Sequence, residues 1–124
     1  MAIRSITYLE IPATDREKAA NFYSELFGWG IEHFGPPMNY TTFTLGNEKL
    51  WGGFPNVDDT MKVDDVLIYI GSDDIGADLK EIVKKGGKVL RDETEVPGYG
   101  SFAFFTDPTG NRIGLWKNAP ATKS

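Results

Sequence analysis

The sequence predicts an α+β fold built from two tandem βαβββ modules, and three observations predict it. An order of one strand, one helix and three short strands occurs twice along the 124 residues. The two occurrences superimpose, Leu50-Trp51-Gly52-Gly53-Phe54 on Arg112-Ile113-Gly114-Leu115-Trp116 and Tyr8 on Leu67. Successive side chains of a strand point to opposite faces, and the strand candidates of the two halves hold matching apolar sets, which gives each strand one core face and one other face. Residues 1–124 read as one domain, with a first module over about 3–55, a linker over about 56–65 and a second module over about 66–117.

Each element has a local cause. Ile3–Ile11 is rich in β-branched and aromatic residues and reads as a strand that Pro12 ends. Thr14-Asp15-Arg16-Glu17 reads as a capping box, with Thr14 as N-cap and Glu17 reaching back. Ala19, Phe22, Tyr23 and Leu26 follow at helical spacing, and Gly28 stops the helix. Trp29–Phe34, Tyr40–Leu45 and Lys49–Phe54 are short strands, separated by Pro36-Pro37 and by the hairpin-type pair Gly46-Asn47. In the second half, Val66–Ile70 is a strand, and Asp73 or Asp74 can cap a helix carrying Ile75, Leu79, Ile82 and Val83. Gly86-Gly87 closes that helix. Strands follow at Lys88–Arg91, Ser101–Phe105 and Asn111–Trp116, the last two joined by the turn Asp107-Pro108-Thr109-Gly110.

Bulk composition excludes several function classes. The net charge is −5, from 13 basic and 18 acidic residues. A nucleic-acid or anionic-membrane partner is therefore not expected, because phosphate affinity needs clustered basic side chains. The acidic balance mildly favours cationic ligands. The chain has no cysteine, which removes thiolate nucleophiles, disulfides and Cys–zinc sites. No window approaches the roughly 18 apolar residues of a spanning helix, and Met1–Ser5 has no apolar run of signal length. A cytoplasmic location is expected.

Alternation assigns faces. Leu9 and Ile11, Phe43 and Leu45, Ile68 and Ile70, Phe102 and Phe104, and Ile113 and Leu115 are expected to pack on the helices. The opposite face then holds Tyr8, Glu10, Tyr40, Thr42, Thr44, Gly52, Phe54, Leu67, Tyr69, Ser101, Arg112, Gly114 and Trp116. Aromatic rings with a few hydroxyls, one acid and one base suit a small-molecule cavity. The same rings could instead fill a second hydrophobic core or a dimer interface. Ser101, Thr42 and Thr44 have no histidine base at motif spacing, so no nucleophilic triad is expected. Gly98-Tyr99-Gly100 is too short for a phosphate loop.

Glu10-Ile11-Pro12, Phe22-Tyr23-Ser24-Glu25-Leu26-Phe27-Gly28-Trp29 and Asp107-Pro108-Thr109-Gly110-Asn111, set in a duplicated unit, resemble the glyoxalase/bleomycin-resistance/extradiol-dioxygenase (vicinal oxygen chelate) superfamily. Val96–Phe102 and Gly114-Leu115-Trp116 are similar to the branch of enzymes related to lactoylglutathione lyase. The resemblance runs from about Ile3 to Lys117. It implies an open barrel of curved sheet around one site, closed by pairing in a homodimer. It also implies a divalent metal held by His or Glu on the first and fourth strands of each module, acting as a Lewis acid on vicinal oxygens. The matching positions here are Tyr8, Gly52, Leu67 and Gly114. None is a histidine or a carboxylate, and only Tyr8 could contribute, weakly, as a phenolate. His33, the only histidine, lies on a different strand and reads as an exposed or hydrogen-bonded residue.

The expected function is therefore binding of a small or cationic molecule at a degenerate site without metal or cofactor. The expected ligand-binding residues are Tyr8, Glu10, Tyr40, Thr42, Phe54, Tyr69, Ser101, Arg112 and Trp116. A glyoxalase-type lyase or isomerase is the alternative, and an interaction domain without ligand is the second alternative.

Overall fold

The β-branched and aromatic run Ile6–Glu10 makes β1, the first strand of the computed structural model, which describes residues 3–45 and 50–120. The chain forms two units. The first is Thr7–Leu67, and the second joins the described parts of Met1–Ile6 and Ile68–Ser124.

In the first unit, α1 (Arg16–Phe27) is capped by Asp15, whose carboxylate accepts from the Lys18 N–H at 3.1 Å. The cap is thus one residue later than Thr14, because Ala13 is held in a bridge to Asn56 and the chain turns only after it. Gly28 ends the helix in the left-handed region at φ 74°, where a Cβ is disfavoured. The strands β2 (Gly30–Phe34), β3 (Tyr40–Thr44) and β4 (Trp51–Phe54) follow. The sheet order is β2-β3-β4-β1, antiparallel except for the parallel pair β1·β4. Gly46-Asn47 and Lys49 lie outside the described residues. The 56–65 stretch is locally ordered: the Asp58 carboxylate accepts from the Thr60 and Met61 N–H groups, and Met61 is buried.

The register Leu9↔Gly52, Phe43↔Gly52 and Thr41↔Phe54 sets the faces. Leu9, Ile11, Phe43 and Phe54 pack beneath α1 with Ala13 and Ala20. Tyr23 stacks on Trp29 at 4.7 Å between ring centroids, Trp29 on Phe43 at 4.6 Å, and Phe43 meets Phe54 at 5.1 Å. Such offset aromatic contacts add about 1 kcal/mol each beyond simple burial.

In the second unit, Asp74 caps α2 (Ile75–Lys84) by accepting from the Ala77 N–H at 3.0 Å. Ile75 and Leu79 are buried, while Val83 is exposed. The strands are β5 (Leu67–Gly71), β6 (Lys88–Val96), β7 (Gly100–Thr106) and β8 (Arg112–Asn118), in the order β5-β8-β7-β6 with β5·β8 parallel. The run β6 is longer than its apolar start implies and carries two register shifts. The Arg4 guanidinium bonds to the Asp78 carboxylate and donates through Nε to the Gly71 carbonyl at 3.0 Å, tying the N-terminal residues to this unit. Burial pushes the Asp78 carboxyl up, and the bonds from Arg4 and Ser72 outweigh it and hold the group below its usual range.

Here the core is Ile75, Leu79, Ala103, Phe105 and Leu115. Phe102 and Phe104 were expected under the helix, but they stand on the opposite face with Tyr69, Arg112 and Trp116. The cause is space: α2 comes close to β7 over the methyl of Ala103, which is fully buried, and a phenyl ring there would hold the helix off the sheet. Ser101 shares the parity of Ala103 and therefore leaves the face on which it was expected.

The Asp107 turn takes its expected form. Its carboxylate accepts from the Thr109 N–H and hydroxyl and from the Asn111 N–H and side-chain amide. These bonds, those from Asn111 first, lower its pKa to about 2. A depressed carboxyl stabilises the fold above its unfolded value near 4 and loses that contribution as pH falls toward 2. Asp107→Ala is therefore expected to lower Tm at neutral pH and to flatten the Tm decline between about pH 4 and 2. Thermal melts with identical acid limbs in both proteins contradict this assignment.

Candidate functional site

The open face of the first unit holds a short chain of polar groups. Tyr8 and Glu10 leave β1 on the side away from α1, and Tyr40 leaves β3 on the same side. The Tyr40 hydroxyl donates to Glu10 Oε2 at 2.7 Å. Its only proton is thereby used, so in the 2.8 Å contact between the two phenols Tyr8 is the donor. The chain runs Tyr8→Tyr40→Glu10 and ends on a carboxylate.

Backbone shape makes room for it. A Cβ at Gly53 would lie 1.9 Å from the Tyr40 hydroxyl oxygen, so the phenol can cross β4 only over a glycine. Trp51, paired with Tyr8 across β1·β4, stands beside it and is 52% exposed. Thr42 and Thr44 follow on the same face by alternation. Burial pushes the Tyr8 phenol up to about 12, aided by the Glu10 charge and opposed by the bond to Tyr40. Burial, then the Glu10 charge, raises Tyr40 well above the usual phenol range. Both are neutral phenols at physiological pH.

The open face of the second unit is aromatic and basic. Phe102 and Phe104 lie 5.2 Å apart, Tyr69 is 6.1 Å from Phe104, and Trp116 pairs with Phe102 across the strands. The Arg91 guanidinium sits 5.3 Å from the Phe102 ring centre and that of Arg112 5.6 Å from Phe104.

Of the residues expected at the site, Tyr8, Glu10, Tyr40 and Thr42 share the first face, and Tyr69, Arg112 and Trp116 share the second. Phe54 does not join them: it is fully buried against Phe43 and Tyr23 beneath α1. Gly52 also faces α1, under the Phe43 ring, and Gly53 takes the open face instead. The two modules thus match with a one-residue slip, Gly53 under Tyr40 answering to Gly114 under Tyr69. Alternation from Glu10 cannot find Trp51, Phe102 or Phe104, because a Gly-Gly pair and a Ser-Phe-Ala-Phe-Phe run carry no clear parity. His33 lies elsewhere. Its Nδ1 is 2.8 Å from the buried Thr41 hydroxyl, at an open polar cleft of about 480 Å³ beside the start of α1.

The metal stations implied by the resemblance are filled by groups that do not fit a divalent ion. Leu67 offers a buried alkyl chain. Gly52, Gly53 and Gly114 offer no side chain. Tyr8 is a phenol whose ionisation burial opposes, so it is a poor anionic donor. Among the described residues, no three His, Cys, Asp or Glu side chains come together as a ligand set. Among the same residues, no helix is long and apolar enough to cross a membrane.

Known proteins share this architecture. The fold matches methylmalonyl-CoA epimerase from Mycobacterium tuberculosis with a TM-score of 0.75, at 13% identity over 93% of this chain and 88% of that one. A glyoxylase-like domain-containing protein of Didymella fabae is 38% identical over 119 residues, covering 86% of this chain and 88% of its own length. The anthracycline biosynthesis protein DnrV of Streptomyces peucetius is 27% identical, matching 89% of this chain but 46% of its own. The chain thus spans about half the length of DnrV, and likewise 44% of the mycobacterial relative CFP32. The family model that describes the Glyoxalase/Bleomycin resistance protein/Dioxygenase superfamily matches residues 5–115, so with both βαβββ units in place the chain belongs to that superfamily.

Proposed function

We propose that this chain is a metal-independent, glyoxalase-like small-molecule-binding protein whose guest is a small cation held on the open face of the first module. The Tyr8→Tyr40→Glu10 chain carries the reading: two neutral phenols end on a carboxylate beside a half-exposed indole. A carboxylate attracts a cation, and an indole face binds one through its quadrupole. Thr42 and Thr44 add hydroxyls for orientation. The misfit of the metal stations supports a site that works without an ion. Similarity to a protein named for anthracycline biosynthesis supports a small-molecule role. The same reading includes a cytoplasmic homodimer without nucleic-acid or membrane partners. Phe22, Leu26 and Phe27, each more than half exposed on α1, are apolar surface that a second copy can cover.

The test pairs benzylammonium with benzyl alcohol in calorimetric titrations. The ammonium is expected to bind more tightly, and Glu10→Gln and Trp51→Ala are each expected to weaken it about tenfold. Equal affinity for the neutral alcohol defeats the cation assignment. Native mass spectrometry of the purified protein reads metal and oligomer together. A stoichiometric divalent ion, with turnover of the methylglyoxal–glutathione adduct, replaces the binding role with a glyoxalase-type lyase or isomerase.

A further inference from the structure

We propose that the polar cleft on the helix side of the first module's sheet binds a neutral polyhydroxylated molecule, a small sugar or polyol. The cleft opens between the start of α1 and the β2–β3 hairpin and has a volume of about 480 Å³. That falls within the roughly 300–1,000 Å³ of small-molecule sites. Its side of the sheet follows from register. His33 shares the parity of Ile31 and Thr41 that of Phe43, and both Ile31 and Phe43 pack beneath α1. No residue of the Tyr8→Tyr40→Glu10 chain lines it, so the site does not rest on the function proposed above.

The walls of the cleft are tied to one another by hydrogen bonds. The hairpin closes through the Asn39 N–H, which donates to the Gly35 carbonyl at 3.1 Å, with Asn39 in the left-handed region at φ 46°. The Asn56 side-chain amide donates to the Asn39 carbonyl at 3.4 Å. Asn56 is in turn bridged to Ala13, whose N–H donates to the Pro55 carbonyl at 2.9 Å two residues before the Asp15 cap. The helix start, the hairpin and Asn56 therefore hold one spacing before any guest arrives, which lowers the ordering cost of binding.

Charge and polarity select the guest. Asp15 and Glu17 bring two carboxylates to the lining, and Arg16 and His33 bring a guanidinium and an imidazole. An ion of either sign thus meets repulsion as well as attraction. Hydroxyls and amides make up most of the remaining side chains, and these both donate and accept. A guest with hydroxyls on most of its carbons can pair with such a lining. An apolar guest would strip water from it without replacing the bonds. Phe34 adds a ring against which the C–H face of a sugar can rest.

His33 is oriented from within the sheet. Its Nδ1 is 2.8 Å from Thr41 Oγ1, and Thr41 is only 1% exposed. The two residues pair directly across β2·β3. With Nδ1 held against the strand, Nε2 is the outer nitrogen of an exposed side chain. His33 then meets the guest, and the buried Thr41 hydroxyl positions it.

Glucose, galactose, mannose and trehalose are the probes, titrated by calorimetry while the His33 ring protons are followed by NMR. Three comparators isolate the features: cyclohexanol removes all but one hydroxyl, glucosamine adds a positive charge and glucuronate a negative one. At least one neutral sugar is expected to bind at one equivalent, to shift the His33 signals and to bind at least about threefold more tightly than every comparator. His33→Phe, at an exposed position, is expected to weaken that sugar about tenfold. Thr41→Val is expected to weaken it about threefold, and Thr41→Ser to restore it, because the serine returns the hydroxyl. His33→Phe decides the outcome by itself where Thr41→Val fails to fold. The assignment is overturned if none of the four sugars binds, if a comparator binds as tightly, if binding leaves the His33 signals unmoved, or if His33→Phe binds as the parent protein does.

Discussion

Replacing Gly52 with alanine is expected to remove about 3 kcal/mol of stability, on the order of 10 °C in Tm. The added Cβ would lie 2.0 Å from the Phe43 ring and 2.4 Å from the Leu9 carbonyl oxygen. Neither neighbour can yield cheaply. Phe43 is fully buried between Trp29 and Phe54 and has no empty space to swing into. The Leu9 carbonyl belongs to the parallel β1·β4 pairing, so moving it opens the ladder. Gly28→Ala serves as the comparison, because nothing lies within 4 Å of its Cβ position and only its φ of 74° opposes a side chain. That substitution is expected to cost about 1 kcal/mol. Urea denaturation gives both values. A double variant, Gly52→Ala with Phe43→Leu, should lose less than the sum of the two single changes, since the smaller side chain relieves half of the clash. A Gly52→Ala protein as stable as Gly28→Ala, or strict additivity with Phe43→Leu, removes the packing explanation.

Gly52 also sits where the sequence carries no face signal. Elements were legible wherever a local signal was strong. Tyr8-Leu9-Glu10-Ile11 alternates polar with apolar, and its faces follow directly. Gly28, Gly86-Gly87 and the Asp107 turn set the ends of their elements through backbone shape and side-chain bonds that act within a few residues. The β4 sequence Trp51-Gly52-Gly53-Phe54 has no such alternation. Its face depends on which glycine a ring crosses, and that ring comes from β3. Superimposing the modules put Gly52 on Gly114, yet the two glycines look to opposite faces. In β7 the largest side chains suggested the core, but the closeness of α2 required the small Ala103 there. The apolar signal of β6 ends before Arg91, and Asp92-Glu93-Thr94-Glu95 carries three acids in four residues although it continues the strand. It is the outer strand of its unit's sheet, where charge discourages further pairing. The candidate site was half legible for the same reason. Tyr8, Glu10 and Tyr40 could be placed on one face, whereas the bonds joining them depend on the register of β3, β4 and β1.

Removing one oxygen at Tyr40 tests that joined arrangement most severely. Tyr40→Phe takes the donor from Glu10 and the acceptor from Tyr8 in a single step. Two part-buried groups lose a partner, one of them charged, and the expected loss is about 2–3 kcal/mol. Tyr8→Phe breaks only the outer link and leaves Tyr40 bonded to Glu10, so about 1 kcal/mol is expected. The order of the two costs follows from the direction of the chain, and equal costs would contradict it. Gly53→Ala reaches the same bonds from below. Its Cβ would displace the Tyr40 hydroxyl, which sits at the free end of a side chain and can swing away. Benzylammonium binding should then fall as it does in Tyr40→Phe, since either change removes the Tyr40 bond to the Glu10 carboxylate. Alkaline titration gives an independent reading. Both phenols are raised above the unfolded value near 10, Tyr8 to about 12. The unfolded chain then ionises first, so stability is full below pH 10 and declines as pH climbs toward 12. Each phenol steepens the decline over that window. Tyr40→Phe removes one of the two contributions, and its alkaline decline should be correspondingly shallower. An unchanged alkaline limb in Tyr40→Phe means that the hydroxyl is not held in the water-poor, carboxylate-facing position on which the proposed site depends.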